Sequence, residues 1–290
     1  MAKLVWLNGE VMPLESATTS VADHAHLYGD GLFEGIRFYN RKVFKLDEHL
    51  ERLYHGISYL GFDMTIGIDE LRKIVLETCR AADLTDGYIR LNVTRGTGLG
   101  LDPKNIDKNP NVMVMVSTIA LYPPELYEIG LTVVSSPFRV VPADSLDNRL
   151  KCIGKYAINI LAKQLANKAG AGDALLYNHQ GYIAEGTGNN FFIVTKGKIR
   201  TPHPSCGILQ GITRDMVIEE ARKAGYEVIE ENLTTFDVHS ADEAFFTGTA
   251  TEVIPAISLD GQKIGCGKPG EVTTRLMGLF REATKQGTEF

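Results

Sequence analysis

Basic charge, paired cysteines and long apolar runs are what this 290-residue chain has little of, and each shortage removes a class of function. Thirty lysines and arginines stand against 36 aspartates and glutamates, a formal net charge of -6, so there is no basic footprint for nucleic acid. No apolar run approaches the roughly 18 residues that a membrane-spanning helix needs. The segment Met1–Gly9 breaks into a polar turn sooner than a signal peptide would. Cys79, Cys152, Cys206 and Cys266 are scattered with no C-x-x-C pair, which fits reduced thiols rather than a disulfide framework or a zinc site. There is neither an internal repeat nor a low-complexity tract. The expectation is an acidic, soluble, cytoplasmic protein with no metal, no nucleic-acid partner and no membrane.

Hydrophobic residues make up 44% and charged residues 23%, enough for a sizeable core, and the length suits about two domains of roughly 100–200 residues. Leu4–Leu7, Asn8-Gly9 and Glu10–Pro13 read as a hairpin, and Phe33–Tyr39 with Lys42–Phe44 as a second. Leu46, Leu50, Leu53, Ile57 and Leu60 recur at helical spacing, with Asp47 as N-cap or first-turn acid, and Ile68–Ala82 is a second amphipathic helix. Tyr88–Thr94 and Val112–Ile119 read as strands joined by a glycine-rich loop. Two prolines in Leu121-Tyr122-Pro123-Pro124-Glu125 interrupt the pattern and mark a linker.

Beyond it, Leu131–Ser135 is a strand, and Ile153, Ala157, Ile160, Leu161 and Leu165 form one helical face. Short strands follow at Ala174–Tyr177, Tyr182-Ile183, Phe191–Val194 and Lys198–Thr201. Helix Ile212–Ala224 has Thr213 and Gly225 placed as caps, strands lie at Glu243–Phe246 and Val253–Ser258, and Glu271–Ala283 is a closing helix. The organisation expected is α+β: a smaller N-terminal domain over 1–120, a linker region over 121–134 and a larger, strand-rich domain over 135–290.

Four stretches carry chemistry. In Arg149-Leu-Lys151-Cys-Ile-Gly154-Lys-Tyr156 a lysine sits where a loop enters a helix. Taken alone it is a solvated basic helix start or a Schiff-base lysine, whose amine turns nucleophilic when burial or a neighbouring cation lowers its pKa. Glu185 precedes a glycine turn and a hydrophobic strand, as in a surface hairpin or as in a carboxylate that keeps a pyridinium nitrogen protonated. Leu209-Gln-Gly211-Ile212-Thr213 puts a glycine directly before a helix, an ordinary cap or an anion site. Thr247–Glu252 offers small residues, hydroxyls and backbone amides suited to a phosphate or carboxylate. The string Gly96-Thr-Gly98-Leu-Gly100 lacks the offsets and the following helix of a dinucleotide fingerprint. His24 and His26 lack further ligands and are read as helix-entry or interface residues, and Cys152 as packing.

Six blocks occur in one order over essentially the whole chain: Tyr28-Gly-Asp-Gly-Leu-Phe-Glu-Gly-Ile-Arg37, His49-Leu-Glu-Arg52-Leu, Lys151-x-x-Gly154-x-Tyr156, Glu185-Gly-x-Gly-x-Asn190, Gly211-Ile-Thr-Arg-Asp215 and Gly248-Thr-Ala-x-Glu252. In them the sequence resembles the class IV pyridoxal phosphate aminotransferases, and within that family the branched-chain amino-acid aminotransferases. The resemblance implies the two-domain fold type IV architecture of the D-amino-acid aminotransferase-like enzymes, with a small α/β domain and a larger pseudo-barrel domain. It implies pyridoxal 5'-phosphate as cofactor, amino acids and 2-oxo acids as substrates, and a homodimer or higher oligomer with shared active sites. It makes Lys151 the Schiff-base lysine and proton shuttle, Glu185 the partner of the pyridinium nitrogen and Tyr156 that of the phenolic oxygen. It assigns the phosphate to Arg52, Thr249 and the amides around Ile212 and Thr213, with Leu209, Gly211 and Gly248 lining the same site. The substrate carboxylate falls to Tyr88 and the amides of Thr249 and Ala250. Tyr28, Phe33, Gly35, Arg37, Leu99 and Leu101 shape the side-chain pocket, and Arg90 or Arg37 meets the second carboxylate of glutamate.

The chain departs from the family at two points. Lys155 stands where asparagine is usual, leaving a second lysine four residues from Lys151, and the loop Arg95–Pro103 is shorter than the usual branched-chain form. D-amino-acid aminotransferases and (R)-selective amine transaminases share these motifs in part, and aminodeoxychorismate lyase shares the implied fold and cofactor. A non-catalytic pyridoxal phosphate carrier is the alternative from another class.

Overall fold

The computed structural model describes residues 4–107 and 109–290, so Met1–Lys3 of the N-terminal reading lie outside the described residues, as does Lys108. The chain divides into two compact units. The first takes the chain up to Ile119 together with Leu150–Lys155 and Thr284–Phe290; the second takes Ala120–Arg149 and Tyr156–Ala283.

The first unit contains β1 (Leu4–Leu7), β2 (Glu10–Pro13), α1 (His24–Tyr28), β3 (Gly31–Tyr39), β4 (Lys42–Val43), α2 (Leu46–Leu60), α3 (Ile68–Ala82), β5 (Gly87–Thr94) and β6 (Val112–Ser117). With the C-terminal strand Thr288–Glu289 they form an antiparallel sheet in the order C-terminal strand–β4–β3–β5–β6–β1–β2. In β5 and β6 every second residue is buried: Ile89, Leu91 and Val93 on one, Val112, Val114 and Val116 on the other. That period of two places one face of the sheet under the helices. Leu46, Leu50, Leu53 and Ile57 of α2 and Leu71, Val75 and Cys79 of α3 are buried against it. Asp47 lies in the first turn of α2, where its charge complements the helix dipole.

Lys151 enters this unit as an added edge segment. On β3, β4 reaches only Phe38 and Tyr39, which leaves the first half of β3 with an open edge. Residues 151–153 fill it: the Phe33 amide donates to the Lys151 carbonyl at 3.1 Å and the Ile153 amide to the Gly31 carbonyl at 2.8 Å. The Gly154 amide donates to the Gly29 carbonyl at 3.1 Å. Gly29 ends α1 in the left-handed region at φ 71°, and a Cβ there would lie 2.6 Å from the Gly154 Cα.

The second unit holds α4 (Glu125–Ile129), β7 (Leu131–Arg139), α5 (Ala157–Lys168), β8 (Asp173–Tyr177), β9 (Asn190–Thr195), β10 (Lys198–Pro202), α6 (Ile212–Lys223), β11 (Val228–Glu231), α7 (Thr235–His239), β12 (Glu243–Gly248), β13 (Glu252–Leu259), β14 (Gln262–Lys263) and α8 (Glu271–Ala283). Its sheet runs β11–β10–β9–β12–β13–β7–β8, with β14 paired to β13. The pairs β10–β11, β13–β7 and β7–β8 are parallel and the others antiparallel. β8 and most of β9 and β12 are buried throughout, so they read as continuous apolar runs instead of alternating ones.

Several local expectations change. Residues 121–134, expected as a linker, form α4 and the start of β7. A proline fixes φ near its helical value and lacks only an amide that the first turn would leave unpaired anyway, so Pro123-Pro124 starts a helix there. The expected apolar face of α5 is not the buried one: Ile160 and Leu161 are exposed, while Ala162 and Ala166 are fully buried on the side that packs on β7 and β8. Tyr182-Ile183 is no strand, because the Asn178 side chain accepts from the Gln180 and Tyr182 amides and wraps the chain into a turn. Thr213 lies inside α6, whose N-cap is Gly211.

Because Gly29 combines a positive φ with a backbone neighbour that has no side chain to move, Gly29→Ala is expected to destabilise the protein by roughly 1–3 kcal/mol. Urea unfolding of the purified variant measures it. A change below about 0.5 kcal/mol would mean the Lys151 segment is not held as described.

Candidate active site

The register of β3 and β5 decides which side chains meet. Phe33 stands opposite Asn92, Gly35 opposite Arg90 and Arg37 opposite Tyr88, so these six share the face turned away from α2 and α3. Met113 and Met115 of β6 continue it. The Arg90 guanidinium carbon lies 3.6 Å from the Phe33 ring centroid, and Arg90 Nε donates to Asn92 Oδ1 at 2.9 Å. Lys151 Nζ lies 4.5 Å from the same ring. A Cβ on Gly35 would come within 2.2 Å of the Tyr88 hydroxyl, so the missing side chain makes the space that Tyr88 occupies. Burial raises the Tyr88 pKa, and the charge of Arg90 together with a hydrogen bond from it opposes this only in part. The Arg37 guanidinium carbon lies 5.0 Å from the Tyr39 ring centroid. Tyr28, Leu99 and Leu101 are exposed, the last two by 71% and 77%.

On the helix-covered face a fully buried carboxylate, Glu34, organises Arg52. Arg52 donates from Nε to Glu34 Oε1 at 2.8 Å and from Nη2 to Oε2 at 2.7 Å, a bidentate pair. His49, one helical turn away on α2, places Nδ1 2.7 Å from Glu34 Oε2. Burial pushes the Glu34 carboxyl up, but the charge and hydrogen bonds of Arg52, with His49 behind them, outweigh it and hold the group at about 2. For His49 burial comes first: it lowers the pKa, and the pull of Glu34 does not restore it. A carboxylate can only accept, so the neutral imidazole carries its proton on Nδ1.

The loop at 95–103 is tied to the α1 segment. His24 places Nδ1 2.6 Å from Asp30 Oδ2 and Nε2 2.9 Å from the Gly100 carbonyl, and Arg95 Nε donates to Asp30 at 2.5 Å. His24 thus clasps a loop. Among the described residues no group of histidine, cysteine, aspartate and glutamate could hold a metal ion.

In the second unit Glu185 is buried, and its Oε2 accepts from the Leu209 amide at 2.8 Å. The Leu209 carbonyl accepts from Asn190 Nδ2 at 2.8 Å. A Cβ on Gly211 would lie 2.1 Å from Asn190 Oδ1, so a side chain there would displace the Asn190 amide from the Leu209 carbonyl. α6 begins at Ile212 with no side-chain cap, which leaves its first-turn amides as donors beside the buried Thr213. The turn Gly248-Thr249-Ala250 joins β12 and β13, with Glu252 after it at φ 59°. Asp173 is buried and accepts from Thr187 Oγ1 at 2.5 Å and Asn189 Nδ2 at 2.8 Å, so it braces the turn after Glu185. Tyr156 and Gly188 line a cavity of about 240 Å³ together with Tyr122, Ile160, Lys163 and Thr251.

The expected residues therefore fall into two sets. The first unit holds Tyr28, Phe33, Gly35, Arg37, Arg52, Tyr88, Arg90, Leu99, Leu101 and Lys151. The second holds Tyr156, Glu185, Leu209, Gly211, Ile212, Thr213, Gly248, Thr249 and Ala250. Within the sets the structure brings together Phe33 with Arg90 and Lys151, Gly35 with Tyr88, and Glu185 with Leu209. Lys155 is buried in a short 3-10 turn, Gly154–Tyr156. Sequence reasoning missed Glu34, His49, Asn92 and Asp173. For the first two the available signal was an acid inside an apolar strand, together with a histidine three residues from an arginine on the facing helix.

Comparison with known proteins gives a consistent result. The family model for amino-transferase class IV matches residues 31–259. A Methanocaldococcus jannaschii protein provisionally named a branched-chain-amino-acid aminotransferase is 44% identical over 98% of this chain and 97% of its own length. The Escherichia coli branched-chain amino acid aminotransferase structure is 32% identical, covers 100% of this chain and 97% of its own, and superposes with a TM-score of 0.94. The Thermobaculum terrenum branched-chain amino acid aminotransferase, in its PLP-bound holo form, is 30% identical over 98% and 94% of the two chains, with a TM-score of 0.89.

The Glu34 pKa predicts a pH signature in stability. The carboxyl titrates near 4.5 when unfolded and about 2 when folded, so its contribution is complete above the higher value and is lost as pH falls through the lower. The size of the shift corresponds to on the order of 3 kcal/mol. Urea unfolding of the parent and of Glu34→Gln should differ by a constant amount above about pH 5, and that difference should shrink towards pH 2. A difference independent of pH would remove Glu34 from this role.

Proposed function

This chain belongs to the class IV aminotransferases and is a pyridoxal phosphate-dependent transaminase, and from that premise we propose that it moves the amino group of L-leucine, L-isoleucine or L-valine reversibly to 2-oxoglutarate. One observation carries the choice of substrate. On the first sheet an aromatic and thioether surface of Phe33, Tyr88, Met113 and Met115 surrounds the half-buried guanidinium of Arg90. A pocket of this kind accepts an aliphatic side chain on its apolar part and a second carboxylate on its cation.

The residues present suit the cofactor. In the second unit the first turn of α6 starts with no side-chain cap and offers amide donors suited to a phosphate, and the family resemblance adds Thr249 and Arg52 to that role. The resemblance assigns Leu209 and Gly248 to the same site. Glu185, buried and anchored on the Leu209 amide, is an acceptor for a protonated ring nitrogen, and Tyr156 a donor for the ring's phenolic oxygen. When bound, pyridoxal phosphate supplies an electron sink for the charge left when the substrate α-carbon loses its proton. Lys151 Nζ would anchor the cofactor and would take and return that proton. Such a base works near neutral pH when desolvation and nearby cations keep its amine from holding a proton too tightly.

The resemblance assigns the substrate α-carboxylate to Tyr88 and to the amides of Thr249 and Ala250. Tyr28, Phe33, Gly35, Arg37, Leu99 and Leu101 bound the side-chain pocket, and Arg90 receives the acidic side chain. The working form is a cytoplasmic homodimer with shared sites. No helix among the described residues is long and apolar enough to cross a membrane.

An absorbance spectrum of the holoenzyme tests this reading. Its visible band should be lost with L-leucine and restored by 2-oxoglutarate, with no response to D-alanine. Bleaching by D-alanine alone would assign a D-amino-acid aminotransferase. Borohydride reduction followed by peptide mapping should place the cofactor on Lys151, and Lys151→Ala should abolish labelling. A label on Lys155 would reverse the assignment.

A further inference from the structure

We propose that Asn92 is a specificity-determining residue: it positions the Arg90 guanidinium through a neutral hydrogen bond and so leaves that charge for the second carboxylate of glutamate or 2-oxoglutarate. The inference rests on the function proposed above and concerns how one pocket serves both an apolar and an acidic side chain.

The observation behind it is the company that arginines keep in this protein. Arg52 is paired with Glu34, Arg95 with Asp30, Arg200 with Glu231 and Asp237, and Arg214 with Glu230. All four are buried to a degree that makes an unpaired cation costly. Arg90 is also half-buried, yet among the described residues it has no carboxylate partner. Its contacts are the Asn92 amide oxygen, the Phe33 ring face and the Tyr88 hydroxyl, all of them neutral. The carboxylate closest in the ladder, Glu34, belongs to the opposite face of β3 and is already held by Arg52 and His49.

Asn92 is placed to fix this cation. It stands directly opposite Phe33 in the β3–β5 ladder and two residues along the strand from Arg90, so all three share one face. The stack on Phe33 sets the plane of the guanidinium, and the Nε–H bond to Asn92 sets its rotation within that plane. With Nε committed to Asn92, the terminal nitrogens meet, among the described residues, only the neutral Tyr88 hydroxyl and stay available to a planar carboxylate, the geometry for which arginine is suited. Aspartate has the same shape as asparagine but the opposite consequence. It would pair with Arg90, neutralise it and repel an incoming carboxylate, while an aliphatic side chain would meet the same apolar surface as before.

The test uses the holoenzyme in its amino-loaded form, with 2-oxoglutarate and 4-methyl-2-oxopentanoate assayed separately. For Asn92→Asp the ratio of kcat/KM, acidic over aliphatic oxo acid, should fall about tenfold or more, through KM rather than kcat. Glutarate, a non-reacting dicarboxylate, should lose affinity by a similar factor, and 4-methylpentanoate should not. Asn92→Leu, which removes the acceptor without adding charge, should give a smaller fall of about threefold and keeps the question open to test if the aspartate variant misfolds. Equal losses for both oxo acids, or no change in the ratio, would overturn the proposal. A parent enzyme that turns over neither oxo acid would remove the premise and the proposal together, and this would be seen before any variant is made.

Discussion

The hydrogen-bonded register between β3 and β5 is the constraint on which the first unit's chemistry depends. Pairing Phe33 with Asn92 and Arg37 with Tyr88 puts the polar and aromatic set on one face and the valines, leucines and isoleucines on the other. A slip of β5 by one residue would turn its faces over and bury Arg90 under α2 and α3. A slip of β3 instead would take Glu34 away from Arg52 and His49 and leave them behind in the core. The register and the buried ion pair thus enforce each other: the packed face fixes where the working face presents its groups. The segment carrying Lys151 depends on the same ladder, since it is hydrogen-bonded along the free edge of β3.

Much of this was legible in the sequence where local pattern and tertiary packing agree. The two long helices α2 and α3, and the strands expected at 88–94 and 112–119 and found at 87–94 and 112–117, follow from spacing alone, because each buries one regular face. Failures came where another force decided. In α5 the buried positions are alanines, chosen for close approach to the sheet, so the larger apolar residues misled. At Pro123-Pro124 the residues that stop a helix in its interior instead open one. Elements of five residues, such as α1 and α7, offer too few turns for periodicity; α7 is announced by its capping box of Thr234 and Asp237.

The candidate site was legible in a different way. Lys151, Glu185, Gly211 and Thr249 each belong to a motif with a chemical reading, whereas Glu34 and Asp173 do not. Both acids are placed by pairing between residues far apart in the chain, and both have a supporting function: one orients an arginine, the other a glycine-containing turn. Burial of an ion pair of this kind adds little net stability when compared with an apolar replacement, but losing one partner strands the other. Such supports are therefore held in place by the cost of partial change.

The fit of Tyr88 into the space left by Gly35 restricts how this pocket could change over generations. A side chain gained at position 35 would meet the tyrosine hydroxyl, so either the Tyr88 ring shifts or position 88 loses bulk. Substitutions at the two positions are thereby coupled, and the two sites should vary together among lineages rather than independently.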